Sequence, residues 1–394
     1  MVTDERDVVR HAECLVLGTG PSAFAATTAL LRGGKEVLVL DPWLDPIART
    51  NGDFALHESK EGTASLAKKT KFGSDAMYLY DKDLVGVPSG ASIPLSAARG
   101  GLSSVWGANI QCYLPNVFSY GAWDGDLTSE YRAVLSLFPT VGAVDGLEES
   151  FPFPAAFSGQ PLRSARMKEL TDALARKYSG SQLAAGAARL AVSPLGKLCN
   201  GCGECLQGCP QDAIFDSGRL FVKLVNSGRV SLVRGFATRI ERSAGNWTCT
   251  YRDPSGATTR VTARYLLMGL GAIATVSLLQ RSGIVTQAVR LQDTQVFYLP
   301  FCSSVGSEDS VARDFSLSQG FVVGLNSRKM PEYHLSLYEP ERNVFDRLSS
   351  TPAKFLARGI PKGVRDRLIL GIGFVRSEAS GVVTVVPRSG GSDV

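Results

Sequence analysis

Four closely spaced cysteines are the residues of this chain best suited to metal chemistry. They are Cys199, Cys202, Cys205 and Cys209, followed by Pro210, in the spacing C-x2-C-x2-C-x3-C-P. Thiolates at this spacing are typical of bacterial ferredoxin loops, in which they hold an iron–sulfur cluster. The spacing therefore predicts a cluster with these four cysteines as ligands, and a [4Fe–4S] cube closed by Cys209 is the favoured form.

Two other interpretations of this cysteine loop stay open. Four thiolates also satisfy a tetrahedral zinc ion, although the two separated CxxC pairs of most structural zinc sites are absent. A set of free or disulfide-prone thiols is the third interpretation. The fourth cysteine of such a run can also serve a different cluster, so a three-iron cluster, or completion by Cys112 or Cys302, is a further alternative.

A glycine turn near the amino terminus has the pattern of a dinucleotide-binding site. An apolar strand begins at Glu13, a Gly-Thr-Gly-Pro-Ser-Ala turn follows, and an Ala/Leu-rich helix ends before Gly33. A second apolar strand then ends on an acid. The predicted nucleotide-binding residues are Gly18, Gly20, Pro21, Ser22, Ala23 and Asp41. The helix amino terminus is suited to a pyrophosphate and the carboxylate to ribose hydroxyls, and the early position of the motif favours FAD over NAD.

A second glycine-rich loop, from Arg99 to Asn109, contains one large aromatic residue. Its backbone can lie flat against a planar ligand, with Trp106 as a packing wall. The segment GGLSSVWGAN resembles the flavin-contacting loop of the glucose–methanol–choline (GMC) oxidoreductases, in particular the pyranose oxidase branch and its bacterial GMC-like relatives. Residues 263–280 are similar to the family's late strand–Gly-Ala–helix segment. Residues 231–240 are similar to the strand whose valine touches the adenine end of FAD.

The resemblance implies a fold, a cofactor and further binding residues. The expected fold class is α/β, with a Rossmann-like FAD-binding domain of GMC type, an antiparallel-sheet substrate domain and an inserted Cys-rich loop. Val105 stands where pyranose oxidases carry the histidine that binds flavin covalently, so FAD is expected to be non-covalent. The cofactor-binding residues that the resemblance adds are Gly100, Gly101, Ser103, Ser104, Trp106, Asn109, Val233, Gly271 and Ala272.

No catalytic residue is assigned. GMC enzymes place their catalytic histidine and its His/Asn partner in a carboxyl-terminal segment, whereas the last residues here resemble the final strand of the substrate sheet. Of the three histidines, His11 is expected to be solvated and His57 has no evident partner. His334 lies in an alternating stretch, where a sheet role is more common than a role as base.

Composition excludes several classes of protein. The 394 residues carry a net charge of only +5 and no dense Lys/Arg run, which argues against nucleic-acid binding. The most apolar window, residues 14–31, is interrupted by two glycines and a proline, so no membrane span is expected. Eight cysteines, four of them scattered, do not form a secreted disulfide framework. A cytoplasmic, reduced protein is predicted.

The predicted organisation has four parts. Residues 1–117 form the first part of the FAD-binding domain, 118–219 an inserted cap with the cysteine loop at 199–210, and 220–288 the second part of the FAD-binding domain. Residues 289–394 form the substrate sheet, which is expected to stop short of the family's catalytic segment. A helix is predicted over 163–176, and strands over 294–299 and 332–338.

These observations lead to one functional hypothesis and one alternative. The hypothesis is an FAD-dependent dehydrogenase that oxidises a hydroxyl of a sugar or other alcohol by hydride transfer. Its electrons would pass through the iron–sulfur cluster to an external acceptor, with a protein as one option. The alternative is a truncated or non-catalytic subunit that binds flavin and cluster. Substrate, acceptor and oligomeric state are not encoded in any pattern found.

Overall fold

The computed structural model describes residues 10–45, 75–89, 91, 93–112, 127–180, 182–207, 209–306, 315–328, 331–339 and 361–394. The chain divides into two compact units. Unit 1 comprises Met1–Trp106, Asp216–Leu291 and Val382–Val394, and unit 2 comprises Gly107–Phe215 and Gln292–Gly381. His57 lies outside the described residues.

Unit 1 is a mixed α/β unit. Its strands are β1 (Arg10–Leu17), β2 (Val37–Asp41), β3 (Val85–Gly86), β5 (Ser231–Arg234), β6 (Phe236–Ser243), β7 (Asn246–Arg252), β8 (Thr258–Met268), β9 (Val289–Gln292), β14 (Val382–Arg388) and β15 (Gly391–Asp393). Its helices are α1 (Pro21–Arg32), α4 (Ser217–Asn226) and α5 (Ala272–Arg281), with 3-10 turns at Asp75–Tyr78 and Gly101–Ser104.

The main sheet of unit 1 has the strand order β5-β2-β1-β8-β7-β6. The first four strands run parallel, and β6, β7 and β8 form an antiparallel meander. Leu15 and Leu17 of β1, Leu40 of β2 and Val261 of β8 are buried in one apolar core, whereas Tyr265 and Met268 towards the end of β8 are exposed. The predicted strand–helix–strand unit is confirmed, and α1 begins at Pro21 because proline is preorganised for the first helical position.

A small sheet of four strands, in the order β3-β15-β14-β9, contains the carboxyl terminus of the chain. Gln280 of α5 fixes this sheet: its Nε2 donates to Val385 O at 3.0 Å, and its Oε1 accepts from Ser392 Oγ at 2.6 Å. The sequence places all of 289–394 in one substrate sheet, whereas the structure groups residues 382–394 with unit 1. Alternating valines suit any half-buried strand, so the pattern does not select the sheet that a strand joins.

Unit 2 is built on an antiparallel sheet of strands β4 (Leu183–Ala187), β10 (Val296–Cys302), β11 (Gly320–Leu325), β12 (Pro331–Tyr338) and β13 (Leu368–Val375). The strand order is β10-β13-β12-β11-β4. Its helices are α2 (Thr128–Leu135), α3 (Ala165–Lys177) and α6 (Lys362–Arg365), with 3-10 turns at Glu204–Gln207 and Ser377–Ala379. The predicted helix over 163–176 and the two predicted strands are confirmed as α3, β10 and β12.

Helix α3 packs its apolar side on this sheet. Ser164 caps its amino terminus by accepting a hydrogen bond from Met167 N at 3.0 Å. Met167, Val322 and Leu337 are buried together, so the helix covers the β4 and β11 side of the sheet. None of the helices in the described ranges combines the length and apolar character that a membrane span requires.

Candidate functional site

The turn between β1 and α1 is closed by a close backbone approach. Gly18 has φ +94°, and a Cβ placed on it would lie 2.6 Å from Gly269 O. A Cβ on Gly269 would in turn lie 2.6 Å from the Cβ of Ala23. The turn, the start of α1 and the end of β8 are therefore in contact, as the fingerprint requires of its first and third small residues.

Gly20 differs from Gly18 because space is open beside it. The nearest atom to a Cβ built on Gly20 is Gly269 O at 3.7 Å. The first helical hydrogen bond of α1 runs from Phe24 N to Gly20 O, so the N–H groups of Ser22 and Ala23 precede the helical ladder. An open glycine beside N–H groups at a helix amino terminus is suited to a phosphate.

The glycine loop of residues 100–104 lies against this turn. Gly101 has φ +55°, and a Cβ on it would lie 3.7 Å from Gly20 Cα. Gly100 N donates to Thr19 Oγ1 at 2.9 Å, which ties the loop to the residue between the two fingerprint glycines. The two glycine-rich segments predicted to contact the cofactor are therefore neighbours within unit 1.

The carboxylate of Asp41 is buried at the carboxyl end of β2. Its Oδ2 accepts from Thr19 Oγ1 at 2.9 Å, and its Oδ1 accepts from Trp43 N at 2.6 Å. Burial raises the pKa of Asp41 from 3.8 to about 6, against the opposing effects of these hydrogen bonds and of the positive charge of Arg99. Each oxygen has a second lone pair, so the carboxylate can still accept from a ribose hydroxyl.

Two buried serines fasten the glycine loop to α4. Ser103 Oγ donates to Gly100 O at 2.7 Å and lies 2.9 Å from Ser217 Oγ. Ser217 Oγ in turn lies 2.8 Å from Thr19 O. Ser104 Oγ donates to Gly101 O at 2.9 Å. The side chains of Ser103 and Ser104 thus stabilise the shape of the loop.

The segment of residues 263–280, which joins β8 to α5, meets the turn between β1 and α1 at Gly269. Gly271 has φ +81°, is exposed, and has no atom within 4 Å of a Cβ built on it. Ala272, also exposed, begins α5 directly after β8. A left-handed conformation that glycine adopts without cost lets the chain turn from β8 into the helix.

These residues fit an FAD dinucleotide. Gly20 offers open space for the pyrophosphate, the start of α1 offers N–H donors, and Asp41 offers an acceptor for ribose. The glycine loop stands beside the phosphate turn, as the predicted flavin-contacting loop should. The turn from Gly18 to Gly20, the start of α1 and the carboxylate of Asp41 are together called the nucleotide cradle below.

Three further predicted cofactor residues are Asn109, Val233 and Trp106. Asn109 belongs to unit 2, where its Oδ1 accepts from Ser318 Oγ at 2.8 Å and its Nδ2 donates to Ser336 Oγ at 3.2 Å. Val233 is buried in the apolar core of the main sheet of unit 1. Trp106 is half-buried at the end of the first segment of unit 1.

Sequence reasoning missed three residues of this region. Thr19 bonds both the acid and the glycine loop, and its position inside the Gly-x-Gly turn was the available signal. Ser217 follows the helix-capping Asp216, which accepts from Gly218 N at 2.9 Å. Trp43 has no motif to mark it, because its contacts come from the tertiary fold.

The cysteine loop has hydrogen-bond donors directed at its sulfurs. Cys209 Sγ accepts from Ala213 N at 3.3 Å, and hydrogen bonding by Ser316 acts to lower the pKa of Cys205. The pKa of Cys205 is nevertheless raised to about 11, mainly by burial and to a smaller extent by the neighbouring Cys209 and Cys199. Burial likewise raises the pKa of Cys199.

The iron–sulfur prediction finds no support in the described geometry of Cys199, Cys202, Cys205 and Cys209. Among the residues that the structure describes, no three or more Cys, His, Asp or Glu side chains are gathered as a metal-ligand group. Cys202 is exposed while Cys209 is buried, so the thiols differ in their environment. Burial favours the protonated form of Cys199 and Cys205, whereas a cysteine binds a metal as its thiolate.

The two described histidines have different environments. His11 is exposed and its Nδ1 lies 3.0 Å from Thr262 Oγ1. His334 lies on β12 between the rings of Phe321 and Phe374, with centroid distances of 5.0 and 4.9 Å. Burial lowers the pKa of His334 to about 4, so its imidazole is neutral at physiological pH.

Comparison with known proteins gives matches at the level of structure. No protein-family model matches the sequence, and no curated protein matches it. The R554K variant of formate oxidase from Aspergillus oryzae RIB40, from a study of FAD modification, has a TM-score of 0.58 at 13% identity, covering 98% of this chain and 77% of that one. Pyridoxine 4-oxidase from Mesorbium loti has a TM-score of 0.55 at 11% identity, covering 95% and 72%.

These matches extend over both units and over most of the length of each oxidase. At such low identity they establish the architecture, while the role of each side chain depends on the local geometry described above. The chain therefore has the α/β fold of these oxidases, which is the fold that its resemblance to the GMC oxidoreductases predicts.

Proposed function

We propose that this chain is an FAD-dependent oxidoreductase of GMC type that oxidises a hydroxyl group of an alcohol or sugar. The observation that carries the proposal is the nucleotide cradle, in which Gly20 is open while Gly18 is closed against Gly269. Two proteins of similar structure are oxidases, and FAD modification has been studied in one of them, the formate oxidase. The sugar or alcohol class rests on the family resemblance.

Each part of the cradle has a defined task in this proposal. The N–H groups at the start of α1 bind the pyrophosphate, and Asp41 accepts from ribose, so the cofactor is fixed through its adenosine half. Bound FAD supplies the hydride acceptor. As the substrate loses hydride, a base must remove the hydroxyl proton. Val105 offers no nucleophile to the flavin, so the cofactor is held without a covalent bond.

The experiment is an anaerobic titration of purified protein. Flavin is quantified per chain, and D-glucose, D-fructose, glycerol and ethanol are then added separately while the oxidised flavin absorption is followed. Bleaching by any of these alcohols, at about one flavin per chain, is the expected result. Protein that retains no flavin after reconstitution with FAD would contradict the nucleotide assignment itself.

The alternative function is a non-catalytic flavin-binding subunit. It has support in the two histidines that the structure describes: burial lowers the pKa of His334 to about 4, which makes it a weak base, and His11 is exposed at the start of β1. The same titration separates the two proposals. Flavin that dithionite reduces but that no alcohol bleaches favours the subunit, whereas bleaching by an alcohol favours the enzyme.

A separable proposal concerns the cysteine loop and the electron acceptor. We propose that Cys199, Cys202, Cys205 and Cys209 take up an iron–sulfur cluster only when the loop rearranges, and that an external acceptor, such as a protein, receives the electrons. The donors directed at Cys205 and Cys209 favour thiolate character once a cation is present. Iron and acid-labile sulfide measured on anaerobically purified protein test the uptake, and zinc alone would make the loop a structural site.

A further inference from the structure

Trp43 has an unusual backbone conformation for an aromatic residue. Its φ is +59°, in the left-handed region that few non-glycine residues enter. Such a conformation costs on the order of 1–3 kcal/mol, and it persists only where the surroundings impose it. Residues of this kind are concentrated at ligand-binding sites, so the contacts of Trp43 are informative.

Two interactions hold Trp43 in place. Its backbone N–H donates to Asp41 Oδ1 at 2.6 Å, and its indole lies 5.3 Å from the guanidinium of Arg99. The backbone of Arg99 is fixed in turn, because Arg99 N donates to Leu44 O at 2.8 Å. The segment after β2 and the segment before the glycine loop are thus clamped together around the indole.

The position of this clamp is set by the carboxylate of Asp41. In dinucleotide-binding folds the acid at the end of the second strand accepts from the adenosine ribose. The backbone N–H of Trp43 donates to that same carboxylate, so Trp43 lies next to the acid that is expected to bind the ribose. The residue is only half-buried, and part of its indole is therefore open to a ligand.

We infer that Trp43 binds the adenosine half of an adenine dinucleotide through its indole and that Arg99 positions the indole. The inference rests on the proposed function and adds a specific recognition element to it. A purine has a π face that packs well on an indole. The guanidinium of Arg99 lies against the indole and near the carboxylate, which explains why this ring is held despite the cost of its φ.

The test compares Trp43→Gly and Trp43→Phe. Glycine adopts φ +59° without cost, so the first variant removes the ring while relieving the backbone, and its thermal stability should equal or exceed that of wild type. Dissociation constants for FAD and for ADP, which carries only the adenosine half, are measured by calorimetry on flavin-free protein. Trp43→Gly should weaken both by about tenfold or more, which corresponds to at least about 1.4 kcal/mol. Trp43→Phe should stay within about threefold of wild type, because an aromatic face is retained.

A second Trp–Arg pair in unit 1 provides a matched control. Arg242 lies 5.7 Å from the ring of Trp247 on the meander, away from the carboxyl end of β2. Arg99→Gln should weaken ADP binding by about threefold, because a cation–π contact is worth about 0.5–1 kcal/mol at exposed sites. Arg242→Gln should leave ADP binding unchanged.

The outcomes separate this inference from the proposed function. If wild-type protein binds FAD, and Trp43→Gly binds FAD and ADP as tightly as wild type does, the inference is overturned and the proposed function stands. A loss of stability in Trp43→Gly with unchanged affinity of the folded fraction would overturn it as well. Wild-type protein that binds neither FAD nor ADP would overturn the proposed function together with the inference.

Discussion

The nucleotide turn and the cysteine loop were both predicted from residue spacing, and they differ in what the structure has assembled. At the turn, Gly18 is closed against Gly269, while the space beside Gly20 is open, so the backbone has the shape that a phosphate requires. At the loop, the described residues contain no gathered metal-ligand group, although the four cysteines follow the ferredoxin spacing.

The difference has a physical origin. Glycines act through the backbone, and a tight turn needs only neighbouring protein atoms to define it. Thiolates act through charge, and bringing several together is unfavourable until a metal ion offsets the desolvation and repulsion. Spacing of small residues therefore specifies a preformed site, whereas spacing of charged ligands specifies a site completed by its metal.

The strongest test of the preformed cradle is Gly20→Val. The side chain enters open space, since the nearest atom to the Cβ is 3.7 Å away, so the fold should be retained. The valine occupies the pyrophosphate position, and FAD affinity should fall by about a hundredfold or more, roughly the loss of several phosphate hydrogen bonds. Flavin content and a dissociation constant measure the effect.

Gly363→Ala on α6 is the matched control for this substitution. A Cβ on Gly363 meets no atom within 4 Å, so the change is equally open but distant in sequence from every predicted nucleotide residue. It should bind FAD as wild type does. Stoichiometric FAD in Gly20→Val would show that the open space does not hold the pyrophosphate.

The cysteine loop can be tested through the reactivity of its thiols, which should depend on whether a metal is bound. Cys202 is exposed, so in metal-free protein it should be alkylated readily by iodoacetamide, before the buried Cys209. Reconstitution with iron and sulfide should slow Cys202 alkylation by about tenfold or more, because a metal-bound thiolate is not free to react. Peptide mass spectrometry follows each thiol.

Cys302 is the internal control for that experiment, since it is exposed and lies outside the loop. If the loop cysteines alone bind the cluster, its rate should not respond to iron and sulfide, whereas slower alkylation would identify Cys302 as the ligand that completes the set. Equal rates for Cys202 with and without reconstitution would remove the cluster proposal and leave the loop as a set of free thiols. Cys202→Ser should also lower the iron content without changing flavin binding.

Gly18→Ala tests the closed side of the cradle. The added Cβ would meet Gly269 O at 2.6 Å, and φ +94° is unfavourable for alanine. The free energy of unfolding should fall by about 2–3 kcal/mol, with the backbone strain alone accounting for about 1–3 kcal/mol. Urea denaturation of the flavin-free protein measures this loss. An unchanged midpoint would mean that the turn relaxes without its contact to Gly269.

Burial raises the pKa of Asp41 at the nucleotide turn, as it raises the pKa of Cys205 in the cysteine loop. Its pKa rises from 3.8 to about 6, so the fold favours the protonated carboxyl. The corresponding stability is complete below about pH 4 and is lost as pH rises through about 6, a change of up to about 3 kcal/mol for two pKa units. Flavin-free wild type should therefore lose stability between pH 4 and pH 6.

Asp41→Asn removes this titration, so the free energy of unfolding of the variant should change less than that of wild type between pH 4 and pH 6. In wild type, saturating FAD should also make the free energy of unfolding less dependent on pH, because ribose hydroxyls that donate to the carboxylate lower its pKa. Denaturation at several pH values measures both effects. A slope that survives in Asp41→Asn would assign the titration to another group.

The sequence was most informative where function depends on local spacing. The strand, turn, helix and acid of residues 13–41 are adjacent in the chain, and all four were predicted. Thr19 was not, because its role depends on Gly100, 81 residues away. Trp43 was missed for the same reason, since Arg99 reaches it only through the fold. The four cysteines could be found from spacing, but spacing does not determine whether the described thiols form a metal-ligand group.

Ser103→Ala should have the smallest effect and tests whether the glycine loop is preformed like the turn. Its hydroxyl donates to Gly100 O and lies 2.9 Å from Ser217 Oγ, so removal costs about 1 kcal/mol of stability. FAD affinity should change by less than about threefold, because the loop retains the bond from Gly100 N to Thr19. Exposed Ser227 is the control, and Ser227→Ala should alter neither quantity. A large loss of FAD affinity in Ser103→Ala would mean that the loop, like the cysteine loop, needs its ligand to become ordered.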